Sequence, residues 1–124
     1  MHPLDTFLAL EQASSGFGLV WPSLEMVLDQ IRNECLEIQD TLHKNEGRTR
    51  LQEEVGDLLH AALSLGFFLG LDVHETLSKA NSKFAARLDT VKAVAQRLGL
   101  SSLQGQTPEA LNAIWQEAKS LSSS

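Results

Sequence analysis

Hydrophobic residues recur at alternating steps of four and three along three long stretches of the chain. This spacing places them on one face of an α-helix, so each stretch predicts a long amphipathic helix. Shorter apolar patterns over residues 3–14 and after Thr107 predict two further helices. The stripes are Leu24, Leu28, Ile31, Cys35, Ile38 and Leu42; Leu51, Val55, Leu58, Ala62, Leu65 and Leu69; and Leu77, Asn81, Phe84, Leu88, Val91, Ala95 and Leu98.

Turn and cap residues separate these helices at short intervals. Ser23 is a helix N-cap, and it predicts that the second helix covers about 24–43. The loop 43–47 precedes a third helix of about 48–70, which Gly70 ends. Asp72 opens a fourth helix that reaches about residue 98, and Thr107-Pro108 opens the last. No strand is predicted, so the fold class is all-α, an antiparallel helical bundle of four to five helices.

Length, composition and charge limit the number of domains and the kinds of partner that are expected. A chain of 124 residues forms a single domain, 1–124, and its net charge of −6 disfavours a nucleic acid polymer or a membrane surface as a partner. The apolar run 58–71 is shorter than a membrane-spanning helix and contains His60 and Ser64. A lone cysteine, Cys35, and the absence of a secretory signal indicate a cytoplasmic protein.

Two acidic pairs stand out on the second and third helices. Glu34 and Glu37 form one E-x-x-E motif, and Glu54 and Asp57 form a matching E-x-x-D motif. Within each pair the spacing of three residues keeps both carboxylates on one helix face. Relative to the two apolar stripes, the pairs occupy the same angular position, beside the stripe that is expected to be buried.

The two acidic pairs are also expected to lie at the same position along the helix axes. A turn between residues 45 and 46 places Glu37 level with Glu54 in an antiparallel hairpin. The same turn places Glu34 level with Asp57, and it lies inside the loop marked by Asn45 and Gly47. Four carboxylates are therefore expected to converge, and such a set favours a hard divalent ion, Mg²⁺, Mn²⁺ or Ca²⁺. The alternative is that each pair belongs to a solvated acidic face, like most of the other acids. His60 is expected to face outward.

The fourth helix carries a row of cations. Lys79, Lys83 and Arg87 lie at steps of four, where like charges repel unless they face an anion such as a phosphate chain. A solvated basic face is the alternative. Asn81 interrupts the apolar stripe of this helix; it is either a register-setting polar residue or a ligand for substrate.

The chain resembles the MazG nucleoside triphosphate pyrophosphohydrolases, members of the all-α NTP pyrophosphatase superfamily. The likeness covers residues 17–119, with 1–16 and 120–124 peripheral. It is carried by Trp21, Asn33-Glu-Cys-Leu-Glu37, Leu51-Gln-Glu-Glu-Val-Gly-Asp57, Ala80-Asn-Ser-Lys-Phe-Ala-Ala-Arg87 and Trp115-Gln-Glu-Ala-Lys119. Asn33 departs from the family, which usually has Glu there.

The resemblance implies a role for each matching residue. Glu34, Glu37, Glu54 and Asp57 correspond to Mg²⁺ ligands, and Mn²⁺ is an alternative ion. Asn81, Lys83 and Arg87 correspond to residues that bind the substrate and its phosphates. Trp115 and Lys119 correspond to a segment that closes over the nucleotide, although Trp115 is equally well explained as a core aromatic. Glu53 is expected to support the metal site or to contact the nucleotide.

The expected reaction is the hydrolysis of an NTP or dNTP to the monophosphate and pyrophosphate, with Glu37 or Glu54 activating the water. A role in clearing the nucleotide pool would follow. A dUTPase-like enzyme and a phosphoribosyl-ATP pyrophosphohydrolase are alternatives, and a non-catalytic helical oligomerisation module is a further one. Apolar residues outside the stripes, such as Leu63, Phe67 and Phe68, predict a homodimer or higher homo-oligomer, in agreement with the resemblance.

Overall fold

The computed structural model describes residues 2–122, and five α-helices with no strand make up the regular structure of that range. The helices are α1 (Pro3–Phe17), α2 (Leu24–Lys44), α3 (Arg48–Phe68), α4 (Val73–Arg97) and α5 (Pro108–Ser122). The predicted all-α class and the number of helices are confirmed. Helix α1 reaches Phe17 rather than ending at residue 14, because the next residue, Gly18, supplies the left-handed cap at φ 97°.

Local capping bonds fix several helix ends at the positions that the sequence predicts. The side chains of Ser23, Asp72 and Thr107 each accept a hydrogen bond from the backbone N–H three residues further on, at 2.9–3.3 Å. Asn45 adopts a left-handed conformation at φ 52° and caps the C-terminus of α2. The α2–α3 turn therefore lies in the predicted loop.

The described residues pack as two compact units, one extending to Thr76 and the other beginning at Leu77. Helix α4 begins in the first unit and continues into the second. The assignment of the whole chain to a single domain, with peripheral ends at 1–16 and 120–124, stays a prediction. Of those ends, residues 1, 123 and 124 lie outside the described part of the chain.

The first unit is built on the antiparallel hairpin of α2 and α3, and α1 packs against α3. The buried residues of α2 are Val27, Glu34 and Thr41, and those of α3 are Glu54, Ala61 and Ser64. In α2 these residues recur every seven positions, which is two helical turns. Polar groups, including two carboxylates, thus occupy the centre of the helix–helix interface.

The predicted apolar stripes are only partly buried, and this part of the sequence interpretation was wrong. Ile38 and Leu58 are half-buried, whereas Cys35, Leu42 and Val55 are exposed. The row beside the stripe, which carries Glu34 and Glu54, faces the partner helix instead. Periodicity locates an apolar stripe on a helix, but it does not say how far the helix is rotated towards its neighbour.

The second unit has its own small core. Val91 and Val94 of α4 pack with Ile114 and Ala118 of α5. Leu100, Leu103 and Trp115 cover this cluster. The first half of the predicted α4 stripe remains exposed in this unit, including Asn81, Phe84 and Leu88.

Within the described residues, none of the helices is by itself long and apolar enough to cross a membrane. Helices α3 and α4 meet the length and composition requirements only when they are taken together as a bent pair.

Candidate metal centre and the adjoining pocket

The α2–α3 hairpin brings the four predicted carboxylates together. Glu34, Glu37, Glu54 and Asp57 each contribute one oxygen to a group in which all oxygens lie within 4.8 Å of one another. Glu34 and Glu54 point into the interface, with 7% and 1% of their surfaces exposed, while Glu37 and Asp57 lie at its edge. The convergence expected from helical phase and level is therefore present.

Two oxygens of these carboxylates are buried without a hydrogen-bond partner among the described residues. They are Oε2 of Glu34 and Oε2 of Glu54. An unsatisfied buried carboxylate oxygen carries a large desolvation cost, so such atoms are rare in folded proteins unless a ligand satisfies them. Both atoms belong to residues of the convergent group, and a cation bound among the four carboxylates could satisfy them.

The other oxygens of the two buried glutamates are held by neighbouring side chains. Gln30, one turn earlier on α2, donates from Nε2 to Oε1 of Glu34. Arg50, one turn earlier on α3, places Nη2 at 2.7 Å from Oε1 of Glu54. Arg50 also donates from Nη1 to Glu53 at 3.1 Å. These contacts hold the Oε1 atoms of the buried carboxylates and leave the Oε2 atoms without a partner from the protein.

Burial raises the pKa of the Glu54 carboxyl above its ordinary value, because desolvation disfavours the charged form. The adjacent Glu37 carboxyl raises this pKa further, through a hydrogen bond and through charge repulsion, and Asp57 adds to the repulsion. The positive charge of Arg50 opposes these effects. The carboxylate charges are thus only partly compensated by the protein itself.

The donor set fits a hard divalent cation. All of the convergent ligand atoms are carboxylate oxygens, and no histidine or cysteine of the described residues joins the group. Mg²⁺ and Mn²⁺ prefer such oxygen ligands, whereas zinc sites are usually built with histidine and cysteine. Which ion binds stays a prediction.

A cavity of about 760 Å³ adjoins the carboxylate group and shares Glu34 and Asp57 with it. All of its lining residues belong to the first unit. Helix α1, the segment 19–22, α2 and α3 each contribute to the wall. The remaining lining residues are Glu11, Ser14, Ser15, Leu19, Val20, Trp21, Pro22, Met26, Gln30, His60, Ala61, Ser64, Phe67 and Phe68.

A small polar network lies in this pocket. The buried Ser64 hydroxyl donates to Oε1 of Glu11 at 2.7 Å, which joins α3 to α1. Nδ1 of His60 lies 3.5 Å from the same hydroxyl oxygen, and its ring packs edge-on against Phe7 at a centroid distance of 5.0 Å. The His60 side chain is 55% exposed, as expected for an outward position, yet it lines the cavity.

The other predicted site residues lie in the second unit, apart from Glu53. Asn81 and Lys83 are exposed on α4, and Arg87 is half-buried. The Arg87 guanidinium lies 5.9 Å from the centre of the Trp115 ring, a cation–π contact. Trp115 and Lys119 are half-buried on α5, and Trp115 packs on the core cluster. The core-aromatic interpretation of Trp115 therefore accounts for its contacts within the second unit.

Several residues at the site escaped the sequence interpretation. Arg50 could have been found, because it precedes Glu54 by four residues, the spacing of a helical ion pair. Gln30 has the same relation to Glu34. No local signal pointed to Glu11 or Ser64, since they meet only when α1 packs on α3.

The sequence of the chain is similar to those of known nucleoside triphosphate pyrophosphohydrolases. No protein family model matches the chain. It is 30% identical over 111 residues to "Nucleoside triphosphate pyrophosphohydrolase" of Escherichia coli strain K12, which is 89% of this chain and 42% of that protein. It is 31% identical over 110 residues to "Nucleoside triphosphate pyrophosphohydrolase/pyrophosphatase MazG" of Thermotoga maritima, again 89% of this chain and 41% of that protein.

Over 89% of its length the chain is thus similar to nucleoside triphosphate pyrophosphohydrolases, one of which is named MazG. The resemblance stated from its motifs is thus confirmed by overall sequence similarity. The chain spans about two fifths of the length of these two relatives.

Proposed function

We propose that this MazG-like chain is a metal-dependent nucleoside triphosphate pyrophosphohydrolase, which converts an NTP or dNTP to the monophosphate and pyrophosphate. The observation that carries the proposal is the group of four convergent carboxylates, with two buried oxygens that lack a partner. If the four carboxylates had only a structural role, side chains of the protein would be expected to pair with these two oxygens. If the carboxylates bind the metal ion of a metal-bound triphosphate, the two oxygens are expected to be free to coordinate that ion.

Glu34, Glu37, Glu54 and Asp57 would hold Mg²⁺, or Mn²⁺ in its place. When bound, the ion supplies electrostatic stabilisation of the phosphate oxygens and of the leaving group. In the reaction, a water oxygen attacks the α-phosphorus, and the bond from that phosphorus to the oxygen bridging the α- and β-phosphates breaks. The proton of the water passes to the carboxylate of Glu37 or Glu54, and pyrophosphate leaves with the bonding electron pair.

The resemblance to MazG enzymes supplies candidate residues for binding the substrate. Lys83 and Arg87 neutralise phosphate oxygens, and Asn81 donates to the substrate from an exposed position on α4. Trp115 and Lys119 contact the nucleotide from α5. Glu53 holds Arg50 beside Glu54 and so supports the metal ligand indirectly.

The functional form would be a homodimer or higher homo-oligomer in the cytoplasm. Large apolar side chains remain exposed along α2 and α3, among them Leu42, Val55 and Leu59 at 59%, 41% and 62%. Exposed large apolar side chains in this number favour an interface between subunits.

The decisive experiment is to incubate the protein with Mg²⁺ and a panel of nucleotides, with the products separated by chromatography. Monophosphate with pyrophosphate is the expected pair. Glu54→Gln should lower kcat by about a hundred-fold or more, because the substitution removes a metal ligand while preserving shape. Glu25→Gln is the matched control, since Glu25 is an exposed acid of α2 outside the carboxylate group.

Other outcomes would separate the alternatives. Release of diphosphate and phosphate would contradict cleavage at the α-phosphorus. Turnover confined to dUTP or to phosphoribosyl-ATP would assign the chain to one of the related pyrophosphohydrolases. Absence of turnover with every nucleotide, together with a stable oligomer, would leave the non-catalytic helical module as the remaining interpretation.

A further inference from the structure

We propose that the pocket between α1, the segment 19–22, α2 and α3 binds the nucleobase, and that Glu11 selects bases that carry an exocyclic amino group. Cytosine, adenine and guanine belong to this class, and uracil and thymine do not. The proposal rests on the proposed function for the orientation of the triphosphate. Beyond that function, the proposal assigns the choice of base to Glu11.

The pocket leads away from the carboxylate group along both helices. On α3 it follows the face from Asp57 to Ser64, and on α2 it passes Gln30 towards Met26. Because the two helices are antiparallel, both rows run in the same direction from the metal ligands. Ser64 lies seven residues beyond Asp57, which is about 10 Å along the helix axis at 1.5 Å per residue. A phosphate held by the carboxylates thus leaves room for a sugar and a base along this path.

The walls of the pocket suit a flat heteroaromatic ring. Trp21 and Phe68 present aromatic surface, and Met26 contributes a flexible apolar side chain. Aromatic side chains stack on nucleobases of any identity, so they supply affinity without choosing between bases. Selection therefore has to come from the few polar groups in the pocket.

Glu11 is the charged group of the pocket away from the metal ligands. Its Oε1 accepts a hydrogen bond from the hydroxyl group of Ser64. Ser64 is buried, with only 5% of its surface exposed. Among the described residues, none donates a hydrogen bond to Oε2 of Glu11. Ser64 thus holds the Glu11 side chain in place while one carboxylate oxygen remains able to accept from a ligand.

A carboxylate accepts hydrogen bonds and donates none. An exocyclic amino group supplies a matching donor, as when Glu or Asp accepts from the amino group of cytosine. Uracil and thymine carry a carbonyl oxygen at the same ring position, and this oxygen would be repelled by the carboxylate. The Glu11 side chain is half-buried, at 17% exposure, so its second oxygen would then have no donor from the ligand. A polar group left without a partner in this way gives discrimination between otherwise similar ligands.

The test measures the binding of dCMP and dUMP in Mg²⁺ by isothermal titration calorimetry, because these products differ in their amino and oxo groups and need no turnover. Wild-type protein should bind dCMP about ten-fold or more tightly than dUMP, the effect of one hydrogen bond to a charged group. In Glu11→Gln the ratio should fall towards one, since an amide both donates and accepts. Glu25→Gln should keep the wild-type ratio.

Ser64→Ala provides a second variant if Glu11→Gln does not fold. Loss of the hydroxyl releases Glu11, so the preference for dCMP should weaken while circular dichroism stays unchanged. Equal affinities in the wild type, a preference for dUMP, or a dCMP preference that survives Glu11→Gln would each overturn the proposal.

Steady-state hydrolysis of dCTP and dUTP then separates this inference from the proposed function. Selective dCMP binding without hydrolysis of any triphosphate would support the base pocket and contradict the pyrophosphohydrolase activity. Hydrolysis of dCTP and dUTP at equal kcat/KM would support the activity and overturn the role of Glu11.

Discussion

The guanidinium of Arg50 lies against the most deeply buried carboxylate of the candidate metal centre, with Nη2 at 2.7 Å from Oε1 of Glu54. The same side chain reaches Glu53 at 3.1 Å and lies near Glu46. Arg50 therefore orients Glu54 and partly offsets its charge, but it also brings a positive charge next to a site that would hold a cation.

Arg50→Met is expected to lower the stability of the metal-free protein and to increase the stabilisation that Mg²⁺ provides. Without metal, Glu54 loses its partner in the interface, so Tm should fall by several degrees. The Tm increase on adding Mg²⁺ should grow, because a repelling charge has been removed. Differential scanning fluorimetry measures both, and Arg32→Met, which removes an exposed i, i+3 pair with Asp29, is the control. A smaller Mg²⁺ response in Arg50→Met would show that Arg50 mainly positions the ligand.

Stabilisation by Mg²⁺ should depend on pH. The pKa of Glu54 lies above its ordinary value of 4.5, so between these two pKa values the folded metal-free protein holds more protons than the unfolded chain. The free energy of unfolding of the metal-free protein therefore falls as pH rises from 4.5 to the raised pKa of Glu54. Above the raised pKa the whole of this destabilisation is present. Metal binding requires deprotonated carboxylates.

The Tm increase on adding Mg²⁺ is thus expected to be small near about pH 5 and larger near about pH 8. Thermal melts at both pH values, with Mg²⁺ and with a chelator, measure it. In Glu54→Gln the Mg²⁺ response should nearly disappear, and the metal-free protein should lose part of its pH dependence. An Mg²⁺ response of equal size at both pH values would count against binding at these carboxylates.

The exposed apolar row of the hairpin predicts self-association. Leu42 of α2 and Val55 of α3 occupy equivalent stripe positions and remain exposed. A charge at such a position would be buried at a subunit interface, so Val55→Glu and Leu42→Glu should each shift an oligomer to monomers. Light scattering after size-exclusion chromatography measures the mass. Leu10→Glu is a control, because Leu10 is as exposed as Leu42 but lies on α1. A monomeric wild type at all concentrations would refute the prediction.

Lys83 should affect substrate binding more than the fold. It is exposed on α4, so Lys83→Met should leave Tm nearly unchanged. Loss of one charge-assisted contact to a phosphate should lower kcat/KM by about ten-fold or more. Lys92→Met, an exposed lysine two and a half turns further along the same helix, should keep wild-type kinetics. Equal losses in both variants would indicate a general electrostatic effect and not a phosphate contact.

The sequence by itself determined the helices and the grouping of the acids. Helix ends depend on local hydrogen bonds, such as those of Ser23 and Asp72, and on residues like Asn45 that tolerate a left-handed backbone. The three-residue spacing of each acidic pair and the position of the turn are likewise local facts. Together they were sufficient to place Glu37 level with Glu54, and Glu34 level with Asp57, in the hairpin.

Only the tertiary structure decided which faces are buried and what surrounds the acids. The rotation of α2 against α3 buries Glu34 and Glu54 and leaves Cys35 exposed, an outcome that depends on packing across the whole interface. The bond between Ser64 and Glu11 joins residues that are 53 positions apart. No periodic pattern encodes such a contact, because it forms only when α1 docks on α3 and closes the pocket beside the carboxylates.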